Sequence, residues 1–280
     1  MGWKRSAGVA LFGEERSTDL TVRRMVLRAD NAARAKRLLT SSGRADWEKL
    51  RPFKNLHAGQ RCVIIGNGPS LRDTNMDLLR NEFTFGLNRI YLMFEKLGWK
   101  TTYHVAVNYL IAEQCAPDLR KVDSPFFTWS GNRQYFEGMP NAVFMNTRHD
   151  GLYNGPKFSH DVGLGYWECG TVTYAAMQLA YFMGFSEVIL VGVDHRFSVS
   201  GPPGKVVEAA GPDANHFDPT YFDKGFRWQL PSLELSAAAY ALARAEFEKK
   251  GGKVIDSTVD GALTVFPKMP LEQALGATRI

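Results

Sequence analysis

The segment Arg61–Asp73, RCVIIGNGPSLRD, runs an apolar stretch straight into Gly66-Asn67-Gly68-Pro69-Ser70. Glycines at 66 and 68 let the backbone come close to a ligand. Ser70 can cap a following helix, whose unpaired N–H groups would suit an anion. The turn matches neither common phosphate signature. A GxGxxG pattern needs glycine where Leu71 stands, and no Gly-Lys-Ser/Thr follows. Read alone, it is either a phosphate-binding turn or the end of a strand.

Three further apolar runs end the same way, at Asn88, at Asn108 and at Asp194-His195. One Asn at a strand end is ordinarily a turn residue, because Asn tolerates left-handed backbone. Three at equivalent places form a set. An amide both donates and accepts, which suits sugar hydroxyls, phosphate oxygens or a pyrimidine edge. Gly170 opens another run, GTVTYAAM, in which Thr171 and Thr173 either cap a helix or offer hydroxyls to a ligand. In NHFDPTYFDKG, His216 is followed by Asp218, Tyr221 and Asp223. A His in a polar loop titrates near neutrality and suits general-base work, although a plain surface His is the ordinary alternative. Asp194, His195, His216 and Asp218 could be gathered around a metal, but no spacing such as HxxxH compels it, so no metal site is assigned. A serine hydrolase is disfavoured because there is no GxSxG elbow.

These residues need elements to carry them. Residues 62–66, 83–88, 101–108, 124–130, 141–147, 187–194 and 253–259 read as strands. Residues 89–98, 109–119, 170–185 and 230–252 read as helices between them, and 70–79 as a helix or turn. CVIIG and EVILVGVD are apolar throughout, as strands buried on both faces are. Alternating strands and helices predict an α/β, Rossmann-like, mainly parallel sheet with helices on both faces. In such sheets ligands bind beyond the carboxyl ends of the strands, where the polar residues above fall. Residues 195–230, with Gly201-Pro202-Pro203-Gly204, are the least regular and are expected to form a lid or substrate loop. In front of this domain, taken as 58–280, residues 17–42 and 45–53 predict two helices within an N-terminal extension, residues 1–57.

The chain has 280 residues and a net charge of +5, unevenly placed. Residues 1–57 hold 13 Lys/Arg against 6 Asp/Glu, and the remainder is slightly acidic. The ordinary reading is a solvated helical face. The sharper one is peripheral contact with an anionic membrane surface or an acidic partner. No nucleic-acid recognition motif accompanies the charge, so nucleic acid is not expected as a partner. The three cysteines, Cys62, Cys115 and Cys169, show no pairing pattern, and a reducing cytoplasm is expected. The apolar run near the start is too short for a signal peptide or a membrane span. The sequence leaves the oligomeric state open, a homo-oligomer included.

VIIGNGPSL, FGLNRIY, VAVNYLIAEQ and GTVTYAAMQLAYFMGFSEVILVGVD, in that order, resemble the bacterial sialyltransferase-like superfamily. That superfamily includes CMP-sialic-acid-dependent sialyltransferases, flagellin-glycosylation accessory proteins and a 6-hydroxymethylpterin diphosphokinase-like domain. The resemblance runs from about Arg61 to Asp260. It implies a glycosyltransferase-like enzyme of surface-polysaccharide or glycoconjugate synthesis, with a CMP-type nucleotide-sugar donor, a glycan acceptor and no required cofactor. By the same resemblance, Asn67, Asn88 and Asn108 line the donor-nucleotide pocket; Gly66, Gly68, Ser70 and Asp194, read from their own place at the strand ends, join them as expected nucleotide-binding residues. The Gly170–Thr173 turn matches the family's helix-opening segment. His216 takes the place of the general base, and Tyr221 that of a hydroxyl stabilising the leaving phosphate. Where the family has tyrosines after the Asp-ending strand, this chain has His195, Arg196 and Phe197, and Arg196 would supply positive charge instead. The diphosphokinase branch implies ATP and Mg²⁺, with Asp194 and Asp218 as metal candidates and Trp129, Trp167 or Trp228 stacking on a pterin. A third reading is a non-catalytic nucleotide- or glycan-binding module whose basic N-terminal helix attaches it to a membrane.

Overall fold

The structure, a computed structural model, describes residues 28, 32, 35, 39–148, 155–199 and 201–276. The chain divides into two compact units, Met1–Glu48 and Lys49–Ile280. The helix expected over 17–42 lies largely outside the described residues. Helix α1, Ser41–Leu50, is the second expected helix, and it gives way at Pro52 to a single 3-10 turn, Arg51–Phe53.

Among the described residues of the larger unit, seven strands form one sheet. They are β1 Arg61–Ile65, β2 Phe83–Leu87, β3 Tyr103–Val105, β4 Phe126–Trp129, β5 Ala142–Met145, β8 Glu187–Val191 and β11 Lys253–Asp256, with the order β11-β8-β1-β2-β3-β4-β5. Every pairing in it is parallel. The expected Rossmann-like α/β architecture is therefore the observed one. The chain winds outward from β1 to β5, then returns to place β8 on the other side of β1. The strand order thus reverses between β1 and β8, whose register pairs Cys62 with Val188 and Ile65 with Val191.

Side chains alternate across the strands. Val63, Ile65, Ile189, Val191 and Ile255 join one buried cluster with Ile111, Cys115 and Leu119 of α3, the helix Tyr109–Leu119. Helix α5, Val172–Phe182, is apolar on all sides, as its sequence predicts, and packs between β1, β2 and α6, Leu233–Lys249. The shorter helices are α2 Phe94–Leu97, α4 Arg133–Phe136 and α7 Leu271–Gly276.

Two features depart from the sequence reading. The larger unit begins at Lys49 and so takes in the last residues of the expected extension, among which Leu50 and His57 are buried. Phe53 meets Phe127 edge-on at 5.0 Å, and His57 stacks on Phe185 at 4.5 Å. Residues 195–230 are also more ordered than their composition suggests. They contain an antiparallel ribbon of β9, Val206–Glu208, and β10, Arg227–Gln229. A second small pair, β6 Thr147–Arg148 and β7 Tyr166–Trp167, was too short to show as a sequence pattern.

Candidate functional site

A cavity of about 750 Å³ opens at the carboxyl ends of β1, β2 and β8, where the strand order reverses. This is where a doubly wound sheet offers a crevice, and the size suits a small organic ligand. Of the residues singled out from the sequence, Gly66, Asn67, Gly68, Asn88, Asn108, Gly170, Thr171, Thr173, Asp194, Arg196, His216 and Tyr221 all line it. Ser70 does not.

The GNGPS turn is fastened to the neighbouring strand end. Gly66 N–H donates to the Val191 carbonyl at 2.8 Å and Gly68 N–H to the Gly192 carbonyl at 2.9 Å. Ser70 donates twice to Asp194, from N–H at 3.1 Å and from Oγ at 2.7 Å. Three of the turn's N–H groups and the Ser70 hydroxyl are thus engaged inside the protein. Its glycines are needed by protein rather than by ligand: a Cβ on Gly66 would lie 2.2 Å from the Gly192 carbonyl oxygen, and one on Gly68 1.7 Å from Asp194 Oδ2. Ser70 lies within a 3-10 turn, Pro69–Arg72, and is not the expected cap.

The three Asn residues play different parts. Asn67 is buried, with its Oδ1 unpartnered among the described residues. The Oδ1 of Asn88 is likewise unpartnered. Asn88 sits at φ 46°, held there by its own N–H to the Val105 carbonyl at 2.9 Å. Its carbonyl lies 2.7 Å from His104 Nε2. Full burial lowers the His104 pKa to about 4, so the ring is neutral and donates. Asn108 lines the cavity and carries a structural task as well. It stands three residues past β3 and caps α3, accepting from Leu110 N–H at 2.8 Å and donating to Gln229 Oε1 at 3.0 Å. Its amide is already engaged in structure.

Helix N-termini add to the cavity's electrostatics, beside the charged side chains of Glu168, Asp194, Arg196 and Arg227 that also line it. The first residues of α3, α5 and α6 line it, capped by Asn108, Thr171 and Ser232. Thr171 accepts from Thr173 N–H at 3.3 Å and lies 3.2 Å from the Tyr240 hydroxyl. Three positive helix ends facing one space favour an anion there. Arg196 stands at the exposed rim and donates to the Asp260 carbonyl. His195 is half-buried at φ 54°, and burial lowers its pKa against the opposing pull of Asp256.

His216 lies flat on the Tyr221 ring, with centroids 3.9 Å apart and planes at 5°. Its Nδ1 is 2.7 Å from Asp213 Oδ2, and Asp213 is buried. Its Nε2 bonds to no described residue. A carboxylate that holds one ring nitrogen as N–H leaves the other free to accept a proton. Asp213 is the residue that sequence reading missed. Its signal in the sequence is an acid three residues before the His, in a loop that carries further acids after it. Asp218 instead turns to Thr220, receiving N–H at 2.8 Å and the hydroxyl at 2.6 Å. Asp223 accepts from Lys224 N–H.

Tyr221 is fully buried, and burial pushes its hydroxyl pKa up. The hydroxyl faces Arg89 N–H at 3.5 Å and the Asn88 side chain, so Tyr221 serves as a shelf for His216 rather than an exposed hydroxyl. Of the three tryptophans considered for stacking, Trp228 lines the cavity, in near-parallel contact with Phe222 at 5.4 Å. Trp129 and Trp167 do not line it. No three His, Cys, Asp or Glu groups gather closely enough for a metal ion among the described residues, so the grouping of Asp194, His195, His216 and Asp218 does not form.

No curated protein matches the chain. The structure of a MAf glycosyltransferase from Magnetospirillum magneticum AMB-1 is similar at TM-score 0.47 and 14% identity, over 84% of this chain and 39% of that one. The chain thus spans about two fifths of that protein's length. A family model described as "6-hydroxymethylpterin diphosphokinase MptE-like" matches residues 38–200, more than half of the chain. The matched stretch contains β1 to β8, the turn at Asn67, Asn88 and Asp194, and stops short of the loop bearing Asp213 and His216. With this match, the parallel sheet and the crevice at its strand reversal fall under one heading: the chain belongs to the 6-hydroxymethylpterin diphosphokinase MptE-like family.

Proposed function

We propose that the protein is a transferase that binds a nucleotide-activated donor in this cavity and uses His216 to deprotonate an acceptor hydroxyl. The observation that carries the reading is the Asp213–His216 pair, whose free Nε2 borders a cavity lined by two unpartnered amide oxygens and three helix N-termini. The donor we favour is a nucleotide sugar of the CMP type, and the acceptor a glycan hydroxyl. In that reaction His216 Nε2 takes the hydroxyl proton as the acceptor oxygen bonds to the anomeric carbon. The bond from that carbon to the phosphate oxygen breaks, and the phosphate departs with the electron pair. The helix ends favour the negative charge that develops. The expectation of surface-glycan synthesis, in the cytoplasm and with peripheral membrane contact through the basic N-terminus, belongs to this proposal.

The family description favours a second reading, transfer of diphosphate from ATP to a pterin hydroxymethyl group. A Mg²⁺–phosphate complex takes one or two protein carboxylates. Asp194 fits, because Ser70 occupies one lone pair on each of its oxygens and leaves the others. Asp218, turned to Thr220, does not fit. When bound, Mg²⁺ would neutralise charge on the transferred phosphate, while His216 keeps the same task at the acceptor.

A thermal-shift panel separates the readings. A rise in melting temperature with CMP or CDP in the absence of metal supports glycosyl transfer. A rise with ATP only when Mg²⁺ is present supports the second reading. No rise with any nucleotide sinks both. His216→Ala is expected to abolish turnover while keeping the nucleotide-induced rise.

A further inference from the structure

The loop bearing His216 is gripped by two arginines that follow the two Asn-bearing strand ends. Arg72, in the 3-10 turn after β1, donates from Nε to the Phe217 carbonyl and from Nη2 to the His216 carbonyl, both at 2.8 Å. Arg89, immediately after Asn88, donates from Nη1 to the Thr220 carbonyl at 3.2 Å and to the Tyr221 carbonyl. Its guanidinium lies 5.6 Å from the Tyr221 ring centroid and 5.3 Å from that of Phe226. A third tie joins the loop to β1: Phe217 N–H donates to the carbonyl of Asn67 itself at 2.9 Å. Two pairs of adjacent main-chain carbonyls, at 216–217 and 220–221, are gripped in this way, which fixes where the loop lies whatever its side chains do. Arg suits this work, because its fork reaches two acceptors at once.

We infer that Arg72 and Arg89 are positioning residues that lock the His216 loop onto the strand ends carrying Asn67 and Asn88, so that occupancy of those ends and placement of the base are set together. The clause about a base rests on the proposed function; the clamp itself does not. Arg72 is exposed and absent from the cavity lining, so replacing it empties no core space and removes no ligand contact.

Hydrogen exchange on the full chain, read on peptides covering residues 213–223, tests the clamp without any substrate. Each charged hydrogen bond lost is worth enough that Arg72→Ala is expected to speed exchange at Phe217 and its neighbours about tenfold or more. Arg72→Lys, which cannot span two carbonyls, is expected to fall between. Loop exchange in Arg72→Ala equal to wild type overturns the proposal. The coupling is tested with CMP, and separately with ATP and Mg²⁺. Whichever nucleotide raises the melting temperature is expected to slow loop exchange in wild type and not in Arg72→Ala, which still binds it. An equal slowing in both proteins overturns the coupling. If neither nucleotide raises the wild-type melting temperature, the transferase reading fails, while the comparison without nucleotide still decides the clamp. With a working donor and acceptor, Arg72→Ala is expected to lower kcat about tenfold with the donor KM within about twofold, with kcat referred to the folded fraction read by denaturant unfolding so that loss of fold is not counted as loss of placement.

Discussion

Gly68 has no room for a side chain, and the reason is Asp194 rather than a ligand. The same lesson holds for Ser70 and Asn108, whose polar atoms are consumed by a carboxylate and by a helix end. What is left over is more informative. Burying an unpaired amide oxygen costs about 1–3 kcal/mol. A chain that carries such a cost at Asn67, on a cavity wall, points to a ligand that completes the bond. Asn67→Ala is therefore expected to leave thermal stability within about 1 kcal/mol of wild type, or slightly higher, because the unmet acceptor is gone. Nucleotide affinity in the same variant is expected to weaken about tenfold, near 1.4 kcal/mol. Chemical denaturation and titration calorimetry read the two effects. A large loss of stability with unchanged affinity would make Asn67 a structural residue instead.

At the scale of elements, β2 is terminated by a left-handed Asn88 whose carbonyl rests on a histidine from β3. His104 is completely buried, and burial lowers its pKa to about 4 from an ordinary 6.5. Between those values the unfolded chain binds a proton that the folded chain does not. Stability from this group is full above pH 6.5 and falls as the pH drops toward 4. The whole effect is on the order of 3 kcal/mol. Urea unfolding at pH 7, 6 and 5 is expected to show this slope, and His104→Gln to flatten it. A variant with the wild-type slope would mean that other groups carry the acid sensitivity. Helices α3, α5 and α6 each begin with a capping side chain at the cavity wall, so the elements that close the core also set the field of the site.

For the whole molecule, seven parallel strands are covered so completely that all three thiols are free and buried. Burial raises each thiol pKa, to about 11 for Cys169. Thiolate, the reactive form, is correspondingly scarce. A thiol reagent at pH 8 is expected to leave the native protein unmodified for hours and to modify three thiols after unfolding. Rapid native modification would show that the core opens locally. No helix among the described residues is long and apolar enough to cross a membrane.

The sequence by itself determined the sheet, its helices and the general place of the site. Apolar β-branched runs such as CVIIG and EVILVGVD, alternating with helical stretches, suit central parallel strands, and in a parallel sheet the polar residues that follow them fall on one edge. It did not determine what each polar residue does there. Whether Asn67 or Asn108 keeps a free amide depends on which backbone N–H lies within reach, and that is fixed only when distant segments meet. Ser70 and Asp194 are 124 positions apart, and Arg72 and Phe217 are 145 apart. The partner of His216 stood three residues away, but a loop without periodicity gives no sign of which neighbouring acid turns inward. Tertiary structure made that choice, by seating the ring on Tyr221 and tying the loop to the two strand ends.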